Sequence, residues 1–172
     1  MAAERDIRLT PTAYIVLGLV AAVGRATPYD LKRVHAAGVG YFWSLNHAQL
    51  YAEPDRLVSG GYLSVEQEKG GRRRKQYELT AAGREALDAW LAEPTQEFTD
   101  LRDPGLLQLF FGADPHALAD AQLPIHEKRL AEYRELHAQS GDWPAGPRLA
   151  LESGIGHERE WVRFWRRVAR DE

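Results

Sequence analysis

Tyr62-Leu-Ser-Val-Glu-Gln-Glu-Lys-Gly-Gly-Arg-Arg-Arg-Lys-Gln-Tyr-Glu-Leu-Thr80 is the stretch that decides the fold. Tyr62, Ser64 and Glu66 alternate with Leu63, Val65 and Gln67, and beyond the break Gln76 and Glu78 alternate with Tyr77 and Leu79. A period of two marks strands. The connection from Glu68 to Lys75 is too polar to pack, and Gly70-Gly71 permits the positive backbone angles of a turn, so the two runs form a hairpin. Thr80 then caps a helix that carries Leu87, Trp90 and Leu91 to about Glu93.

Upstream, the period is helical. Thr10-Pro11 supplies an N-cap and a first-turn proline for a helix that runs to Val23 and closes at Gly24. Thr27-Pro28-Tyr29-Asp30 repeats the device for a short second helix to about Ala37, with an acidic residue favoured at its positive end. After Gly38-Val39-Gly40, Ser44 is the expected cap of a third helix bearing Leu45, Ala48, Leu50, Leu57 and Val58, stopped by Gly60-Gly61. Pro54 lies inside it and is expected to kink or divide it near Leu50.

Helix, helix, helix, hairpin, helix is the order of a winged helix-turn-helix. The predicted fold is therefore mainly α, with a two-stranded wing in residues 1–93 and a helical domain in residues 94–172. A helix fits the major groove of B-DNA, where side chains that donate and accept read base edges. Ser44, Asn46, His47, Gln49 and Tyr51 supply such groups on the first two turns of the third helix. Asn and Gln suit adenine, while Ser and Tyr suit phosphates. In the wing, Lys69, Arg72, Arg73, Arg74 and Lys75 place five cations in seven residues, a phosphate-neutralising tip. Free amides near Thr27 to Tyr29 form a further candidate phosphate contact.

The charge balance agrees. Through Ala92 there are 12 Lys/Arg against 10 Asp/Glu, and from Glu93 onward 10 against 15, so the front is mildly basic and the back acidic. The back half begins with Glu93-Pro-Thr-Gln96, continues through the apolar cluster Leu106–Phe111, and has a cap-and-proline pair at Asp114-Pro115. A second amphipathic helix is expected after Pro124, with Ile125, Leu130, Tyr133 and Leu136 on one face. Gly141–Pro147 reads as a loop. The last helix sets Ile155, Trp161, Phe164, Trp165 and Val168 opposite Glu158, Arg159, Arg163, Arg166, Arg167 and Arg170. So much aromatic area on so few helices predicts a second copy of the chain as partner.

The residues also carry a family resemblance. Trp43–Tyr51, with Arg56-Leu57 and Gly61-Tyr-Leu63, resembles the recognition helix and the strand that follows it in PadR-type regulators. Gly70–Arg84 resembles their wing and its return into a helix, and Leu106–Phe111 with Trp161–Trp165 is similar to their helical C-terminal domain. One departure is local: where that family often has proline directly after the Leu-Tyr pair, this chain has Ala52, with a proline at 54. The resemblance implies a homodimeric, cytoplasmic regulator that binds double-stranded DNA at an inverted repeat, and repression relieved by a small, often aromatic, ligand. Trp90, Trp143, Trp161 and Trp165 are the candidates for an effector pocket or a dimer contact.

Other classes find less support. The chain has no cysteine, which excludes disulfides, thiolate zinc sites and thiol nucleophiles. Its six histidines lack metal-binding spacing, no serine sits in a nucleophile elbow, and no phosphate-binding loop is present. No catalytic residue, metal or cofactor is expected, and a hydrolase is the minor alternative. Tyr14–Val23 is about half the length a membrane span requires. It lacks the positive flank of a signal peptide. A winged helix that binds protein instead of DNA is the remaining alternative, and the arginine-rich wing argues against it.

Overall fold

The computed structural model describes residues 7–67 and 74–170. It divides into two compact units, residues 1–97 and 98–172.

The first unit is built around α1, Pro11–Val23, a helix apolar enough to be its centre. Thr10 caps it through the Ala13 amide, and Gly24 closes it at φ +87°, a left-handed angle that only glycine adopts freely. Ala13, Val16, Leu17 and Val20 are wholly buried against Leu31, Leu50, Leu57 and Leu63. Each such leucine contributes roughly 1.5–3 kcal/mol by leaving water. Helix α2, Pro28–Ala36, starts with a reciprocal capping box between Thr27 and Asp30. A short 3-10 turn, Val39–Tyr41, leads on towards α3, His47–Ser59.

Helix α3 corrects two expectations. It starts two residues beyond a Ser44 cap: the cap is Asn46, whose side-chain oxygen accepts the Gln49 amide at 2.8 Å while Gln49 Oε1 accepts the Asn46 amide at 3.1 Å. This closed box outcompetes Ser44 because it satisfies two orphan amides at once. Pro54 does not divide the helix, which runs unbroken to Ser59. Its ring is buried with Leu50 and Leu57 on the inner face, and that packing offsets the missing backbone donor.

Strands β1, Leu63–Gln67, and β2, Lys75–Leu79, pair antiparallel with Leu63 opposite Leu79 and Val65 opposite Tyr77. Ala26 adds a bridge to Tyr77 through bonds of 2.8 and 3.0 Å, so the loop after α1 is a third rung of the wing. Helix α4, Ala81–Ala92, begins at Thr80 and packs on α1, where Trp90 stacks on Tyr14 at 4.7 Å.

The second unit holds α5, Pro104–Phe110, and the long helices α6, Pro115–Ala138, and α7, Ala145–Val168. Pro124 lies within α6 instead of opening a separate helix. Leu118 and Ala119 before it and Leu130 and Tyr133 after it are buried, and this continuous packing holds the helix together through the lost donor. Helix α7 begins at Ala145, so the expected loop ends earlier and Pro147 falls in a first turn, where no donor is missed. Leu130 and Tyr133 meet Leu151, Ile155 and Val162, while Trp165, fully buried, meets Leu118 and Ala119. Much of the aromatic stripe thought to need a second copy is thus covered by α6 of the same chain.

Candidate nucleic-acid interface

Helix α3 is two-faced. Leu50, Pro54 and Leu57 are buried, and Ser44, Asn46, His47, Gln49 and Tyr51 are all exposed. The spacing that buries Leu50 therefore turns the predicted readers outward. The His47 and Tyr51 rings lie one helical turn apart and stack at 6.5 Å. Asn46 and Gln49 stand differently from the expectation, because each side-chain oxygen is engaged by the capping box. The ends left over are their NH2 groups, which only donate.

The hairpin is anchored to this helix by charge. Lys75 Nζ donates to both oxygens of Asp55, at 2.8 and 2.7 Å, and the Tyr77 hydroxyl donates to Asp55 Oδ1 at 2.8 Å. The Lys75 ammonium, with help from the Tyr77 hydroxyl, holds the Asp55 carboxyl below its usual range. Burial, with the Asp55 carboxylate beside it, pushes the Tyr77 phenol well up. On the hairpin's other side Arg25 pairs with Glu66 and Glu78.

Of the predicted wing cations, Lys75 is thus a strut between α3 and β2 and not a free charge. Arg74 is exposed, whereas Lys69, Arg72 and Arg73 lie outside the described residues. The start of α2 also differs from expectation. The Asp30 carboxylate is held low by hydrogen bonds from the Thr27 hydroxyl and amide, with smaller contributions from Arg33 and Arg74. An anion already occupies that helix end, which disfavours a phosphate there.

Sequence reasoning missed the aromatic residues around α3. Tyr29, Phe42 and Trp43 are largely exposed, Trp43 with its carbonyl held by His35 Nε2 at 3.0 Å. The signal was present: three consecutive aromatics, Tyr41-Phe-Trp43, between two caps have no helical stripe to join.

The four tryptophans fall in different clusters. Trp90 belongs to the first unit; in the second, Trp143 packs with Leu130 and Tyr133, while Trp161 and Trp165 stack at 6.5 Å beside Leu118 and Ala119. Trp161 flanks a cleft of about 370 Å³ with Leu106 and Phe164. His126 meets Glu158 at 2.7 Å under the Trp161 ring, and among the described residues no three potential ligands gather for a metal. No helix among them is long and apolar enough to cross a membrane.

Residues 16–89 match the family model of the transcriptional regulator PadR-like family, and residues 101–171 match that of the virulence activator alpha C-terminal domain. The negative transcriptional regulator PadR of Bacillus subtilis is 29% identical over 100 residues, which are 57% of this chain. The match spans only about half of that relative's length, 54%. Among solved structures, Bacillus subtilis PadR in complex with operator DNA superposes with a TM-score of 0.80 at 23% identity, over 91% of this chain and 96% of that one. The same protein in complex with p-coumaric acid gives 0.74 at 22% identity, over 94% and 97%. At these identities the superpositions establish the shared fold.

Proposed function

We propose that the chain, whose residues 16–89 match the PadR-like family of transcriptional regulators, binds operator DNA through α3 and the wing. The carrying observation is the two-faced α3: three core residues fix the helix, and the same register exposes Asn46, His47, Gln49 and Tyr51 beside the hairpin base. The hairpin adds cations whose phosphate contacts supply sequence-independent affinity.

Residues 1–93 are the DNA-binding part in this reading and residues 94–172 the dimerisation and effector part. Two copies present two α3 helices to one face of the duplex, so the operator is an inverted repeat with half-sites about one helical turn, or a multiple, apart. The apolar surface of the second unit, Phe98, Phe110 and Phe111, supports dimerisation there. Regulation is repression relieved by a small aromatic ligand. The relative solved with p-coumaric acid supports it, and the cleft beside Trp161 is the site for such a ring. A DNA-binding regulator of this kind works in the cytoplasm.

Titrating the protein against DNA from upstream of its own gene, at two salt concentrations, tests the reading. Saturable binding that weakens steeply with salt is expected. A folded protein that ignores every duplex offered at low salt would overturn it.

A further inference from the structure

Helices α6 and α7 form the sides of an open cleft of about 690 Å³ lined mostly by arginine: Arg134 from α6, Arg159, Arg163, Arg166 and Arg167 from α7, and Arg170 just beyond it. Its floor is apolar, formed by Leu130, Ala131 and Val162, and its one carboxylate is Glu127. The second unit as a whole is acidic, with ten Lys/Arg against thirteen Asp/Glu in residues 98–172. Six of those ten cations therefore line one cleft. Charge scattered for solubility would not collect this way, and six guanidiniums in one groove repel one another unless an anion relieves them.

The nearby carboxylates neutralise only two of the six. Arg166 pairs with Glu127 at 2.6 Å and Arg163 with Glu160, while no carboxylate is within ion-pair distance of Arg134, Arg159, Arg167 or Arg170 among the described residues. Arg167 lies instead over the Phe164 ring at 5.6 Å. Cations in the last turn of a helix complement its dipole, which accounts for Arg166 and Arg167 but not for Arg134 on the other helix or for Arg159 and Arg163 further back.

We propose that this cleft binds a small molecule carrying two or more phosphates. Guanidinium forks match phosphate oxygens in bidentate fashion, and several of them converging exceed what a single carboxylate needs. The cleft is larger than one phosphate and falls in the range that holds an organic ligand, so the apolar floor is free to take the body of a nucleotide. The cleft is built from residues of the second unit alone, whereas α3 and the wing belong to the first, so its test does not depend on DNA binding.

Calorimetric titration of the full chain tests it, with ATP, inorganic tripolyphosphate and adenosine as probes. ATP is expected to bind saturably, adenosine at least tenfold more weakly, and tripolyphosphate to compete with ATP. The double variant R134Q/R159Q should lose ATP binding at least tenfold while keeping its thermal transition, and R74A in the wing should bind ATP as the parent does. No saturable binding, equal binding of adenosine, indifference to R134Q/R159Q, or loss in R74A alone would each overturn the proposal. The first and third would leave the cleft an unliganded basic surface, the second would show a site for the nucleoside and not for its phosphates, and the last would place the anion on the wing.

Discussion

Asp55, in the middle of α3, accepts both the Lys75 ammonium and the Tyr77 hydroxyl of β2, so the recognition helix and the wing are joined through one carboxylate. This joint has a pH window on both sides. The Asp55 carboxyl is held low in the folded chain, so its contribution is complete above its unfolded value, about 4, and is lost as pH falls below that. The Tyr77 phenol is raised, so its contribution is complete below about 10 and is lost as pH climbs past that value. Asp55→Asn should cost about 1 kcal/mol at neutral pH, a modest figure because the pair is half-exposed, and should flatten the acid side of a stability profile. Urea titrations of both proteins across pH check it; equal acid slopes would refute the assignment.

The Asn46–Gln49 box makes a prediction about the operator. With both side-chain oxygens turned onto backbone amides, the two residues meet bases through NH2 donors, which suit purine N7, guanine O6 and thymine O4. Replacing operator adenines by purine, which lacks the 6-amino group, should change the dissociation constant less than about twofold at bases beneath the start of α3. Replacing purines there by their 7-deaza analogues should weaken it about tenfold. Asn46→Ser, which keeps a capping oxygen but loses the longer-reaching NH2 group, should preserve stability and blunt the preference, whereas Asn46→Ala should also cost about 1 kcal/mol of stability. Sensitivity to loss of the 6-amino group would show that the box opens on DNA.

In the wing, the structure separates two cations that look alike in sequence. Arg74 is exposed and Lys75 is tied to Asp55. Arg74→Ala should weaken every duplex to a similar extent and reduce the slope of log affinity against log salt by about one. Lys75→Ala should instead lower folding stability. Identical salt slopes for the parent and Arg74→Ala would remove Arg74 from the interface.

Gly83 marks where α4 touches the residue just before β1. A Cβ there would lie 2.0 Å from the Tyr62 carbonyl oxygen, the acceptor that also takes the Thr80 amide at 3.2 Å. Since the Tyr62 oxygen belongs to the backbone and cannot swing away as a side chain would, Gly83→Ala should destabilise the first unit by about 2–4 kcal/mol. Gly18, inside α1 with nothing near its Cβ position, is the control, and Gly18→Ala should gain up to about 1 kcal/mol from helix propensity. Chemical denaturation distinguishes the two signs.

The wing, α1, α2 and α4 were legible because each is announced locally: a change of period, a Thr-Pro cap, a glycine stop. The misplaced features share a different cause. Ser44 and Asn46 are both good caps, and only the reciprocal bond from Gln49, fixed once α3 packs through Leu50, chooses between them. Pro54 and Pro124 look like breaks, yet burial of their neighbours carries each helix through, a tertiary effect that no local pattern shows. In the same way the pairing of Lys75 with Asp55, twenty residues apart, turns what reads locally as a free wing charge into a strut.

The second unit's exposed phenylalanines bear on assembly. Phe98, Phe110 and Phe111 are 98%, 83% and 78% exposed, and the latter two rings meet edge-on at 5.2 Å, a rigid apolar pair with nothing of its own unit over it. Leaving such rings in water forfeits roughly 1.5–3 kcal/mol each, which association would recover. Phe110→Glu with Phe111→Glu should therefore shift a dimer to monomers in light scattering while leaving the first unit folded. Because one α3 then meets one half-site, affinity for an inverted repeat should fall towards that for a single half-site. A double variant that stays dimeric would place the interface elsewhere on the chain, and one that monomerises yet still prefers the inverted repeat would show that pairing occurs on the DNA itself.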